Sequence, residues 1–228
     1  MGQVAVTQIG SLDGALLPEL SGLAQAPGDP ERLYAVNDSD PALIVMRADG
    51  SSPRRVELEL GTSRFDLEAL SSGPCGLWPG ACVFVADSGG NNFERDTVPV
   101  YVFPVDALEA AASSGEALRP SATLRLRYPD GPHDAEGFAL HPNGDLYLLT
   151  KEDVSLAGAP PARLYRLRAE RWQAEPEAVH TLGYVADLEL RDLSANALDV
   201  FSHIATALDF SDDGERLLVL TYGDAFEL

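Results

Sequence analysis

One two-part pattern occurs four times along this chain and restricts its fold more than any other feature: a short apolar segment with a small residue, a turn, then a strongly β-prone segment. The first copy is SGLAQAPGDPERLYAVND, Ser21 to Asp38, and the second joins EALSSGP, Glu68 to Pro74, to CVFVAD, Cys82 to Asp87. The third, EGFALHPNGDLYLLTKE, covers Glu136 to Glu152, and the fourth, TALDFSDDGERLLVLTY, covers Thr206 to Tyr222. Asn143 and Gly144 sit where Asp213 and Gly214 sit in the next copy, and these residue types tolerate the positive φ of a hairpin turn. A third β-like segment follows in the first three copies, starting at Ala42, Val98 and Ala162. Fourth strands are predicted at Arg54 to Leu60, Ala122 to Tyr128 and Glu177 to Val185. Four antiparallel strands per unit, repeated with Gly-rich turns, describe the blades of an all-β propeller.

Helical periods are scarce. The one convincing helix is predicted over Ala107 to Ser113, with Asp106 as cap and Glu109 closing a capping box. Equivalent first-strand positions, Ser21, Glu68, Glu136 and Thr206, are 47, 68 and 70 residues apart, so the repeats are irregular. The fourth blade lacks at least its outermost strand. Two readings stay open: Gln3 to Ile9 supplies that strand and closes a single domain of four blades over residues 1 to 228, or the chain is a fragment of a five- or six-bladed disk.

Several stretches carry a resemblance: DLEALSSGP with CVFVADSGGNN, RYPDGPHDAEGFALHPNGDLYLLTKE, and ALDFSDDGERLLVLTYGDAFEL. Together they resemble secreted bacterial β-propeller proteins without an assigned activity, over about Glu19 to Leu228. In that group the chain usually continues with another blade, which the resemblance therefore implies here. More remotely, an acidic first strand before a strand ending in Asn or Asp is similar to calcium-dependent lactonase and esterase-like phytase propellers. The group usually has an acid in the glycine loop where this chain has Gly90, which counts against a calcium loop there.

Propellers gather the starts of their innermost strands around a channel, where ligands converge. Glu68 and Glu136 share a repeat position, and Asn37, Asp87 and Thr150 end the second strands of three blades. Asp38, Asp66, Asn91, Asp134, Lys151 and Glu152 lie nearby. Crowded carboxylates need a cation or protons to neutralise them, and oxygen donors suit calcium, so Glu68, Glu136, Asp87 and Asn37 are the candidate calcium ligands. Against this, acidic residues at strand ends often only cap turns, and Lys151 is able to neutralise one glutamate without metal. The loop DSGGNN, Asp87 to Asn92, either wraps an ion or only reverses the chain, and it lacks the Lys-Ser/Thr of a phosphate loop. His133, beside Asp134 and near Glu136, is a candidate general base together with Glu136. No HExxH or GxSxG motif occurs.

Thirty-six acidic against 16 basic residues give a net charge of −20, with a single lysine, Lys151. Such a chain repels phosphate backbones, so nucleic acid is not expected as a partner. No apolar run is long enough to span a membrane, and MGQVAVTQIGSLDG lacks the charge and apolar stretch of a signal peptide. Cys75 and Cys82 bracket GLWPGA and are expected to form a disulfide in an extracellular or periplasmic setting with any leader trimmed; the alternative is two reduced surface thiols in a cytosolic protein. Three functions compete: a secreted binding or scaffold module whose channel face holds a small molecule or protein, with calcium; a metal-dependent hydrolase of an ester, lactone or phosphoester; and an interaction domain with no small-molecule site.

Overall fold

The structure is a computed structural model that describes residues 7–12, 14–90, 95–152, 160–194 and 200–228, with the side chains of 200 and 201 left aside. The repeats form a four-bladed β-propeller. Blade 1 contains β1 (Leu20–Ala26), β2 (Asp29–Asn37), β3 (Asp40–Arg47) and β4 (Arg54–Glu57), each antiparallel to the next. Blade 2 contains β5 (Ala69–Pro74), β6 (Ala81–Ala86), β7 (Val98–Pro104) and β8 (Ala122–Arg127). Blade 3 contains β9 (Ala135–Leu140), β10 (Leu146–Thr150), β11 (Ala162–Leu167) and β13 (Gly183–Leu188), and blade 4 has three strands, β14 (Ala205–Phe210), β15 (Leu217–Thr221) and β16 (Ala225–Glu227).

Strand periodicity puts alternate residues on opposite faces, so blades 1, 2 and 3 each contribute to two apolar layers. Tyr34, Val36, Leu43, Val45, Leu70, Val83 and Val85 fill the layer between blades 1 and 2. Phe84, Val100, Leu124, Phe138, Leu148 and Trp172 fill the one between blades 2 and 3. The inner strands follow the order β1, β5, β9, β14, each packed against the next. Backbones approach closely there: a Cβ added at Gly22 of β1 would lie 2.9 Å from the amide nitrogen of Leu70.

The predicted fourth strand at Glu177 to Val185 is two strands. β12 (Val179–Thr181) pairs in parallel with β8 of blade 2, and β13 pairs antiparallel with β11 of blade 3. Leu182, 3% exposed, is the pivot: its buried side chain turns the chain from one blade to the next. Blades 1 and 2 are joined in the same manner. Leu118, in the connection before β8, makes a parallel bridge to Leu58 just beyond β4, donating its N–H to Glu57 O at 2.8 Å and accepting from Glu59 N at 2.9 Å. In each case a segment preceding the fourth strand of one blade straps the outer edge of the blade before it.

The predicted helix exists as α1 (Val105–Ser114), but its capping box does not form, because Pro104 occupies the N-cap and no side chain caps it. Glu109 instead reaches blade 1, accepting from Arg32 at 2.5 Å and from the Tyr34 hydroxyl at 3.2 Å. A second helix, α2 (Ala169–Ala174), buries Trp172, whose indole N–H donates to Gly144 O at 3.1 Å. Gly144 and Gly214 both take positive φ, 91° and 73°, as their turns require. Cys75 and Cys82 are bonded and buried, so the β5–β6 connection is closed by a disulfide packed beside Trp172 and Phe84.

Gln3 to Val6 of the proposed closing strand lie outside the described residues. Thr7 to Ile9 are not in a strand, and Gly10 packs onto the backbone of Asp49, in the β3–β4 turn of blade 1. From there the chain crosses the free face of blade 1, where Leu16 and Leu17 cover Leu33, Ala35, Ile44 and Met46. Blade 4 faces blade 1 across a cleft of about 610 Å³, and Leu20, Leu23, Leu218, Leu220 and Tyr222 on its walls are all exposed.

Candidate functional site

The acidic cluster at the starts of inner strands β5 and β9 is built from one short pattern used twice. Asp66 and Glu68 lead into β5, while Asp134 leads into β9 and Glu136 is its second residue, and because β5 packs on β9 the two pairs come together. Each leading aspartate fixes a loop: Asp66 O accepts from Gly89 N at 3.3 Å, and Asp134 Oδ1 accepts from Gly90 N at 3.0 Å. Gly89 is needed for this closeness, since a Cβ there would lie 2.2 Å from Asp66 Oδ2.

Lys151, immediately after β10, donates from Nζ to Glu136 Oε1 and lies 5.7 Å from the ring centre of Tyr222 in blade 4. Burial works against its charge, but Glu136 outweighs it and the ammonium titrates higher than usual. Glu136 is raised by burial, with Lys151 opposing. Burial also raises Asp66 and Asp134. Glu68 is the extreme case. It is 8% exposed, and its carboxyl is pushed up to about 8 by burial first, then by Glu136, Asp66 and Asp134. Its backbone N–H donates to Ala86 O at 3.1 Å, but its carboxyl has no hydrogen-bond or ion-pair partner among the described residues.

Asp87 and Asn37 have different employment. Asp87, 1% exposed, accepts from Arg95, from the Asp66 amide at 2.8 Å and from the Tyr101 hydroxyl at 3.2 Å. Asn37 donates to Leu16 O at 3.2 Å and accepts from Glu19 N at 3.3 Å, tying the entering chain to blade 1. Both are therefore occupied by protein partners; of the other two candidate ligands Glu136 is paired with Lys151, and the Glu68 carboxyl has no partner among the described residues. No group of three or more His, Cys, Asp or Glu side chains among the described residues is arranged to hold a metal ion. Asn91 and Asn92 lie outside the described residues.

His133 is oriented by Asp130, not by the neighbouring Asp134. Its Nε2 lies 3.1 Å from Asp130 Oδ1 and 3.2 Å from the Tyr165 hydroxyl, and its Nδ1 is 3.7 Å from Glu152. Tyr128 and Tyr165 meet its ring at centroid distances of 5.0 and 5.6 Å. Asp130 is the hub, taking Arg163 at 2.7 Å and the Tyr165 hydroxyl at 2.8 Å as well. Thr150 accepts from Arg163 N at 2.9 Å and donates to Glu152 at 3.0 Å. This cluster fastens the outer part of blade 3 to the 128–133 loop.

Arg95, Tyr222 and the Asp130 hub are absent from the sequence reading. The repeated Asp-x-Glu before β5 and β9 was the available signal for the pairing of the two acidic strands; nothing in spacing announces the Arg95–Asp87 pair.

No protein-family model matches this chain, and no curated protein does. Among solved structures, "Streptogramin B lyase structure" is similar at 11% identity over 92% of this chain and 54% of that one, with a TM-score of 0.45. "Crystal structure of Nidogen/Laminin Complex" is similar at 13% identity over 93% and 60%, with a TM-score of 0.49. An auxiliary nutrient binding protein from Bacteroides thetaiotaomicron VPI-5482 is similar at 12% identity over 93% and 38%, with a TM-score of 0.49. The chain thus spans 38 to 60% of the length of these structures. The propeller assignment rests on the blade topology itself.

Proposed function

We propose that this propeller is a binding module that seats a cationic group at the starts of its inner strands, on Glu68. The observation that carries the reading is the Glu68 carboxyl, on a residue 8% exposed, without a partner among the described residues and within electrostatic range of Glu136, Asp66 and Asp134. Among the described residues, five carboxylates, Asp66, Glu68, Asp87, Asp134 and Glu136, are served by two cations, Lys151 and Arg95. An incoming ammonium, guanidinium or divalent cation supplies the missing charge and needs no rearrangement of the Lys151–Glu136 pair. Binding is favoured over hydrolysis because both candidate bases are already engaged: Glu136 by Lys151, His133 by Asp130 and Tyr165. The buried disulfide suits an extracellular or periplasmic setting.

Titration with putrescine and, separately, calcium chloride at pH 8.5 tests this by calorimetry. Saturable binding of either that is lost in Glu68→Gln supports the reading, and the better probe tells an organic cation from a metal. Binding of neither, or equal binding to the variant, removes it.

A further inference from the structure

Three arginines converge at one end of blade 1. Arg32 of β2 and Arg47 of β3 are direct cross-strand partners, and Val45, two residues before Arg47, stands opposite Arg54 of β4. Residues that are opposite or two apart share a face of a sheet, so all three guanidinium groups leave the same side of three adjacent strands. That side is the one α1 of blade 2 covers: Arg32 reaches Glu109, and Arg54 Nη1 donates to Ser113 Oγ at 3.3 Å. With Ser52, Val45 and Met46, the arginines line a hollow of about 310 Å³. It lies wholly on blade 1, on the side that faces blade 2, so its walls do not depend on how many blades the disk has.

Like charges placed directly opposite one another weaken a sheet. The chain has 16 basic residues, and three of them stand here. Local carboxylates answer that charge unevenly. Arg32 is engaged twice, by Asp29 at 3.3 Å and by Glu109. Arg47 meets Glu31 at 3.5 Å, with the two side chains 57% and 71% exposed, and so exposed a pair contributes little and gives way to a better anion. Arg54 has no carboxylate partner among the described residues.

We propose that this hollow binds a small molecule through a phosphate or sulfate monoester group held between Arg47 and Arg54. A planar carboxylate is matched by one guanidinium fork, whereas a tetrahedral group with three terminal oxygens is met from two directions, as these arginines approach from adjacent strands. The volume is at the small end for ligand pockets and suits a body the size of one sugar. The negative charge of the whole chain opposes an anion, so recognition rests on direct contact with the two forks. This site is separate from the Glu68 cluster and independent of it.

Calorimetric titration in low-salt buffer at pH 7.5 with glucose 6-phosphate, glucose 6-sulfate and glucose tests the proposal. Saturable binding of at least one ester and none of glucose is expected, and the better ester tells a phosphate from a sulfate. Arg47→Gln and Arg54→Gln should each weaken it by about tenfold or more. Glu31→Gln, which frees Arg47, should tighten it about twofold or more, a gain that no loss of folding can imitate. Binding of neither ester, equal binding of glucose, unchanged affinity in either arginine variant, or no tightening in Glu31→Gln overturns the proposal.

Discussion

Glu68 couples the site to pH. An unfolded glutamate loses its proton near the ordinary value of 4.5, whereas the folded carboxyl holds it up to about 8. The proton bound in the native state therefore stabilises the fold fully below about pH 4, and this contribution is lost as pH rises from there to about 8. Glu68→Gln keeps the shape without the charge. We expect equal melting temperatures for parent and variant at pH 4 and a higher one for the variant at pH 8.5; parallel curves across that range would show that Glu68 ionises freely. Gly89→Ala should act in the opposite sense, because its Cβ meets the Asp66 carboxylate at 2.2 Å. Displacing Asp66 should cost about 1–3 kcal/mol in a denaturant titration, and an unchanged midpoint would mean that Asp66 swings aside freely. Glu68 and Glu136 were legible from sequence since repetition alone places them at neighbouring strand starts. The service of Asp87 to Arg95 and Tyr101 was not, because a salt bridge across a loop leaves no period in the chain.

At the level of elements, the disulfide fixes a hairpin connection against a helix from another blade. Gly76, beside Cys75, has φ 72°, and a Cβ there would lie 2.8 Å from the Trp172 ring. Reducing a bond between cysteines seven apart should cost about 2.5 kcal/mol by loop entropy, a fall in Tm of roughly 5–10 °C. Identical melting with and without reductant would show that the packing around Trp172 holds the hairpin alone. Hairpins were readable because Asn143–Gly144 and Asp213–Gly214 mark their turns. The division of Glu177 to Val185 between two blades was hidden, since β12 and β13 run on as one β-prone stretch and only the burial of His180 and Leu182 separates them. The capping box failed for a similar reason: the right residues are present, but Pro104 takes the N-cap and Glu109 is drawn to Arg32.

Across the whole molecule, a net charge of −20 on 228 residues makes self-repulsion a standing cost of compactness. Raising sodium chloride from low to moderate concentration should therefore raise the melting temperature, since screening relieves repulsion more than it weakens the few ion pairs. A flat or falling response would show that ion pairs such as Arg55–Asp40 outweigh it. The incomplete fourth blade was legible from the short fourth repeat, whereas the use of Leu16 and Leu17 to cover blade 1 was not, as two leucines before the first strand carry no address. The straps set an order in time. Blade 1 receives its outer pairing from Leu118, 60 residues after Leu58, and blade 2 receives His180 opposite Leu126, 54 residues later. At ribosomal speeds of about 5–20 residues per second, each new edge waits roughly 3–12 seconds for the segment that seals it. During synthesis, then, blades 1 and 2 are each briefly an adhesive surface, and the spacing of the straps sets how long the nascent chain depends on chaperones or dilution to stay apart from its neighbours.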